Sequence, residues 1–219
     1  MKLEEAMPAL TAACGVPFRK LFAGHPEDLR TNKGNVGQLL LRYIGLKLDS
    51  NLTDFEDGEL KTNKAHEDGS PRETMYITQI SQAIDSLVST PQKPFARSHL
   101  YAKIRNLVYL PVVKHTADVG DWYFVRCVRI EASPGTNLYR KLNADYDAIC
   151  EGLRTHIQNS SDGFIHTTNG PHYIQVRSKD SMPYNAIYSR VYSRAVSNKN
   201  HAFYFMKSFM SAALSGSYE

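Results

Sequence analysis

Seven consecutive residues, Leu107-Val108-Tyr109-Leu110-Pro111-Val112-Val113, form an apolar run that narrows the folds open to this chain. Its brevity and its branched and aromatic side chains read as a strand buried inside a core. Neither this run nor any other approaches the ~20 apolar residues a membrane span needs. A soluble protein is expected. A second constraint is the stretch 137–158, where Leu138, Leu142, Tyr146, Ile149, Leu153 and Ile157 recur every three or four residues and predict a long amphipathic helix.

Around these two anchors the periodicity alternates. Residues 4–14 predict a short helix ended by Gly15 and Pro17, with a further turn at 18–22, and 34–45 predict another helix from the spacing of Val36, Leu39, Leu40, Tyr43 and Ile44. Between them 25–32 reads as a polar connector. Gly37 suggests a close neighbour at the first turn of the second helix. Strands are expected at 54–62 and 73–81, paired as a hairpin across the breaker-rich turn 64–71. A short helix at 98–106 leads into the apolar run. Strands are expected at 122–132 and 173–177, with 178–180 a polar loop. Residues 201–209 read as strand-like before a last short helix, and 82–94 carries no clear period. The fold class is α+β in one domain of 219 residues.

The net charge of +4 is too mild to establish a polyanionic partner by itself. Its distribution says more. Cations outnumber anions over 97–140 and 177–207, whereas acids gather at Glu56, Asp57, Glu59, Glu67 and Asp68, an arrangement suited to a basic groove beside an acidic metal pocket. Three cysteines, Cys14, Cys127 and Cys150, have neither the number nor the spacing of a disulfide framework or zinc site, and reduced, mostly buried thiols are expected. The first residues lack the pattern of a secretory signal, which points to the cytoplasm.

The stretch Asp54-Phe55-Glu56-Asp57-Gly58-Glu59-Leu60-Lys61-Thr62 carries the candidate chemistry. On a strand, Glu59 and Lys61 project to one face while Leu60 turns inward. Asp54, arriving before the strand, can meet Glu59 to hold a hard cation such as magnesium. Lys61 then stands where a water attacks a phosphate. Taken by themselves, these charged residues read first as a solvated hairpin.

Several further stretches, in one order, change that reading. Asn32-Lys33-Gly34-Asn35-Val36-Gly37-Gln38-Leu39-Leu40, then Asp54-Phe55 with Gly58-Glu59-Leu60-Lys61-Thr62, Pro71-Arg72-Glu73-Thr74, Ser98-His99 through Lys103, Tyr173-Ile174-Gln175-Val176-Arg177-Ser178-Lys179 and Phe203-Tyr204 together resemble the MutH-type DNA endonucleases, comprising the mismatch-repair endonuclease and related restriction enzymes that cut GATC. The resemblance implies a restriction-endonuclease-like core, a mixed sheet flanked by helices, and two lobes around a DNA-binding cleft: a catalytic lobe over about 1–105 and a recognition lobe over about 106–219. It implies catalytic roles for Asp54, Glu59 and Lys61, with the two carboxylates as Mg2+ ligands, and makes Lys103 a second active-site lysine. Arg177, Ser178 and Lys179 match a loop that reads the major groove, where Arg can bond guanine O6 and N7 together. Tyr204 matches a tyrosine near the adenine that senses methylation. Tyr76 holds an aromatic position near the DNA, and Glu73 a structural one.

Three departures stand out. Leu41 occupies the place of a further acidic residue of the family, the gap from Asp54 to Glu59 is shortened, and Ser178 stands where the repair branch has proline. Glu56, Asp57, Gln38 or water are candidates to make up a missing ligand. The expected function is a magnesium-dependent, sequence-specific endonuclease of double-stranded DNA, of the type II restriction kind at GATC or a related site. The alternatives are a methyl-directed repair nickase with an activating protein partner, and a module that binds DNA without cutting. One site per chain must act twice or pair up to cut both strands, which makes a homodimer on DNA one expected route.

Overall fold

The computed structural model describes residues 1–23, 36–47, 51–179 and 184–218. The connector 25–32, the first part of the Gly34 helix, the Asn32-Lys33-Gly34-Asn35 motif and Asp180 lie outside these residues. The chain is a mixed α+β protein of two compact units that interleave along the sequence. One comprises Met1–Glu73, Lys103–Ala132 and Met210–Ser217, the other Thr74–Ala102, Ser133–Phe209 and Tyr218–Glu219.

The first unit is built on strand β3 (Asn106–Val113), the buried run foreseen from its composition. On one side β3 pairs in parallel with β1 (Glu59–Ala65), in register from Glu59 opposite Leu107 to Ala65 opposite Val113. A parallel pair needs a long crossover, and here it runs through the 74–102 part of the second unit. On the other side of β3 lie two short antiparallel strands, β4 (Tyr123–Phe124) and β5 (Val128–Glu131). Helices α1 (Leu3–Ala12), α2 (Phe18–Leu21) and α3 (Val36–Tyr43) bring Leu3, Leu10, Phe18 and Leu40 into one core with Leu60, Val108, Leu110 and Phe124. The intervening Leu107, Tyr109 and Val113 are equally buried on the opposite face. Both faces of β3 are therefore covered, which explains why its sequence is continuously apolar rather than alternating.

The second unit holds a three-stranded antiparallel sheet in the order β2 (Met75–Gln79), β9 (His201–Phe205), β6 (Ile174–Ser178). Helix α6 (Asn137–Asn159) packs on β6 and buries the six apolar positions that predicted it. Thr136 caps its start by accepting the Tyr139 N–H. Midway along, fully buried Asp145 accepts from His172 Nδ1 (3.0 Å), the Tyr173 N–H (2.6 Å) and Lys141 Nζ, so the helix fixes the entry into β6. Helix α4 (Ile84–Val88), α5 (His99–Ile104), the hairpin β7 (Ile187–Ser189) with β8 (Arg194–Ser197), and α7 (Lys207–Ser215) complete the elements. No helix among the described residues is long and apolar enough to cross a membrane. Cys14, Cys127 and Cys150 are free thiols, but only Cys150 is fully buried.

Three expectations are corrected. The strands at 54–62 and 73–81 do not form a hairpin: β1 pairs with β3 and β2 with β9. A hairpin does begin, with one bridge from Ala65 to Pro71, but Pro71 has no N–H with which to extend a ladder. The single strand expected at 122–132 is two. The Val125 N–H donates to Pro111 O (2.9 Å), but Pro111 has no N–H to return the bond, and the strand is interrupted between Phe124 and Val128. The apolar stretch 201–209 is strand only to Phe205, after which α7 begins.

Candidate functional site

In the first unit, a folded loop places Asp54 over the start of β1. Phe55 is buried in the core, its N–H donates to Gly58 O (2.9 Å), and its carbonyl accepts from Thr53 Oγ1 (2.8 Å). Gly58 has no room for a side chain, since a Cβ would meet Leu3 Cδ1 at 2.5 Å and the Asn106 carbonyl at 2.9 Å. With the loop held at both ends, the Leu60 N–H donates to Asp54 Oδ2 (2.9 Å) and the Asp54 N–H to Glu59 Oε2 (3.3 Å). This reciprocal pair is how the shortened gap still brings the two carboxylates together.

Glu59 is the centre of the cluster, its side chain 5% exposed. Lys61 Nζ donates to Oε1 at 2.9 Å, and Lys103 Nζ spans Oε1 and Oε2 at 3.0 and 3.1 Å. Lys61 follows from strand alternation, whereas Lys103 comes from α5, 44 residues along the chain. The four side chains assigned to catalysis therefore lie together, two acids and two ammoniums, in one unit. Asp54 also opens on a cavity of about 430 Å³ lined in part by Lys47, Asn51 and Thr53.

Asp54 is open to solvent on one side and crowded by protein on the other. Loss of hydration, and next the charge of Glu59, raise its carboxyl above the usual value; the Leu60 N–H and the two lysines oppose them. Folding thus shifts the balance of this carboxyl toward its neutral form. The stabilisation this gives is fully present below the unfolded carboxyl range and is lost as pH rises through the raised folded value. Asp54→Asn, neutral at every pH and still able to accept the Leu60 N–H, is expected to melt at a higher temperature than wild type at pH 7. The gap should shrink as pH falls below the ordinary carboxyl range. Thermal scans by circular dichroism measure this, and an Asp54→Asn protein less stable than wild type at pH 7 would contradict it.

Among the described residues, no group of three or more His, Cys, Asp and Glu is placed to hold a metal ion. Leu41, where the resemblance would place a further acid, is 5% exposed and packed in the core. Glu56 and Asp57 turn to the start of α1 instead: Glu56 Oε1 lies 2.5 Å from the Met1 ammonium, and Asp57 Oδ1 accepts the Leu3 N–H (2.8 Å). Gln38 is exposed on α3, and the first turn of that helix rests on β1, where a Cβ at Gly37 would lie 3.6 Å from Thr62 Oγ1, an ordinary contact. The donor set is therefore Asp54 and Glu59. Two adjoining carboxylates are the number magnesium commonly takes, its other positions being filled by water and phosphate oxygen, although both Glu59 oxygens here accept from ammoniums.

In the second unit, Tyr76 and Tyr204 lie opposite each other on β2 and β9, ring centroids 5.8 Å apart, edge to face. The Arg177 guanidinium lies over the Tyr204 ring (5.3 Å) and Lys179 Nζ over the Tyr76 ring (5.0 Å). Four of the five residues assigned to DNA contact thus form one chain of cation, ring, ring, cation, in which stacking and charge attraction reinforce each other. Strand alternation sends Ser178 to the other face, into a cavity of about 370 Å³ with His166, Lys199 and His201. Sequence reasoning did not assign Thr74, whose Oγ1 accepts from Arg177 Nη1 (3.2 Å), or Asn106, whose Nδ2 donates to the Asp57 carbonyl (2.9 Å). Thr74 stands inside the quoted Pro71-Arg72-Glu73-Thr74 stretch, the one signal that could have marked it. Glu73 is exposed, and its carbonyl accepts from Asn63 Nδ2 (2.9 Å). No protein-family model matches the chain, and no curated protein matches it.

Proposed function

We propose that the protein is a magnesium-dependent, sequence-specific endonuclease of double-stranded DNA with a restriction-endonuclease-like core, acting as a type II restriction enzyme at GATC or a related short site. The observation that carries the reading is the convergence of Asp54, Glu59, Lys61 and Lys103, drawn from a loop, a strand and a helix, on one buried carboxylate. The cation–tyrosine face of Tyr76, Tyr204, Arg177 and Lys179 supports DNA as the substrate, since its two cations match phosphate and guanine acceptors and its rings match bases.

In this mechanism Asp54 and Glu59 would hold the metal. Magnesium, when bound, supplies positive charge against the phosphate and acidifies water. Lys61, beside Glu59 on the strand, orients the attacking water as an ammonium, or takes its proton when it stands as the neutral amine. Lys103 is a compact charge for the phosphate flanking the cut. Both ammoniums are partly exposed, at 13% and 19%, so each can turn from Glu59 toward a phosphate oxygen.

Sequencing the ends produced on random-sequence DNA tests the reading, and 5′-phosphate ends at a short recurring site are expected. Arg177→Ala should lose about 1–3 kcal/mol of discrimination at one position, seen as a relaxed motif in the same map. An unchanged motif would remove Arg177 from base recognition. A second reading, a module that binds DNA without cutting, is favoured by one observation: Leu41 is a core residue, leaving two carboxylates for the metal.

A further inference from the structure

Tyr76 has a second environment. It borders a cavity of about 500 Å³ in the second unit whose wall also includes Thr78, Gln79, Gln82, Lys93 and His99. The pairing of β2 with β9 shifts register between Tyr76 and Thr78, and such a bulge re-aims the side chains beside it. Here both residues flanking the bulge line the cavity. Thr78 Oγ1 lies 3.2 Å from His99 Nε2, which fixes the imidazole against the wall.

The lining defines the ligand. It contains no carboxylate, so it does not suit a metal or an amine, and its one aliphatic side chain, Ala83, does not suit a lipid or a greasy ligand. It offers amides, hydroxyls, an imidazole and one aromatic ring. The side-chain amides of Gln79 and Gln82 make no hydrogen bond with the described residues, and each presents donors and an acceptor together, the pattern that matches the edge of a base. Tyr76 adds a ring for stacking. Lys93, exposed and without an ion pair among the described residues, can meet an adjoining phosphate.

We infer that this cavity receives one nucleobase turned out of the bound duplex. The inference rests on the DNA reading above: the same Tyr76 ring that carries Lys179 opens onto the cavity, so a strand lying along the cation–tyrosine face passes its mouth. Gln79 and Gln82 read the edge of the extruded base, Tyr76 stacks against it, and Lys93 holds its phosphate. Proteins that extrude a base read it in this way, by hydrogen bonds to its edge and by stacking.

The test uses the Lys61→Ala protein with magnesium and a series of GATC-containing duplexes, each with 2-aminopurine at one position. Anisotropy of an end label reports binding, and 2-aminopurine emission, which rises when the base leaves the stack, reports extrusion. A several-fold rise at one position is expected, lost when Gln79→Leu and Gln82→Leu are added while the anisotropy change remains. Binding with flat emission at every position overturns the inference and leaves the DNA reading standing. A rise that survives the two glutamine changes overturns this cavity as the receiving site. No anisotropy change with any duplex overturns both.

Discussion

Lys61→Ala is expected to slow DNA cleavage by about 10²–10⁴-fold, the usual contribution of a positioned proton-transfer group, while leaving affinity for duplex DNA nearly intact. The Lys61 ammonium meets Glu59 Oε1, the oxygen that the Asp54 N–H does not use, and belongs to the strand that presents the carboxylate. Its removal does not strand a buried charge, because Lys103 still contacts both Glu59 oxygens. Loss of activity would therefore reflect lost chemistry rather than lost folding. Single-turnover rates and gel shifts on one duplex separate the two. Undiminished cleavage by the variant would remove Lys61 from the mechanism.

Glu59→Ala is expected to end cleavage and also to destabilise the first unit by about 3–5 kcal/mol, the cost of removing one partner from a buried ionic cluster. Two ammoniums and the Asp54 N–H all point at this carboxylate, and without it the lysines face each other across the gap. Glu59→Gln keeps the shape and an acceptor. It should recover part of the stability and none of the cleavage. Asp54→Asn behaves oppositely in stability, gaining at neutral pH because the Asp54 charge is held against its preference. The two acids of one site thus predict opposite stability changes with the same loss of activity. Urea denaturation of the Glu59 variants beside wild type reads this, and a neutral Glu59→Ala would show that the cluster is solvated rather than buried.

The parts of the fold that were legible in sequence are those governed by local pattern. The buried run at β3 and the six-position stripe of α6 are set by periodicity and composition, and both fall within a residue or two of where they were expected. Partnership between strands was not legible. The Lys64 to Pro71 turn carries good hairpin chemistry, yet β1 and β2 belong to different units, and strand choice is decided by contacts far apart in sequence. Pro111 illustrates a subtler limit. Its missing N–H divides the facing strand in two, an effect visible only once the two segments are known to be neighbours.

At the site, Glu59 and Lys61 follow from alternation alone, since i and i+2 share a face. The same rule could have separated Ser178 from Arg177 and Lys179, which the resemblance had grouped as one loop. Lys103 and the cation–tyrosine pairs depend on tertiary placement and were reachable only through the resemblance. Glu56 and Asp57, attractive as replacement ligands by charge, are taken by the start of α1, a competition that no local reading of 54–62 contains.

The most direct measurement is incubation of supercoiled plasmid, prepared without adenine methylation, with the purified protein and magnesium, followed on an agarose gel beside a chelator control. The account predicts discrete linear fragments that depend on magnesium and disappear with Asp54→Asn. Plasmid that is bound and retarded but stays supercoiled at every magnesium concentration would contradict it, and would leave the protein a DNA-binding module.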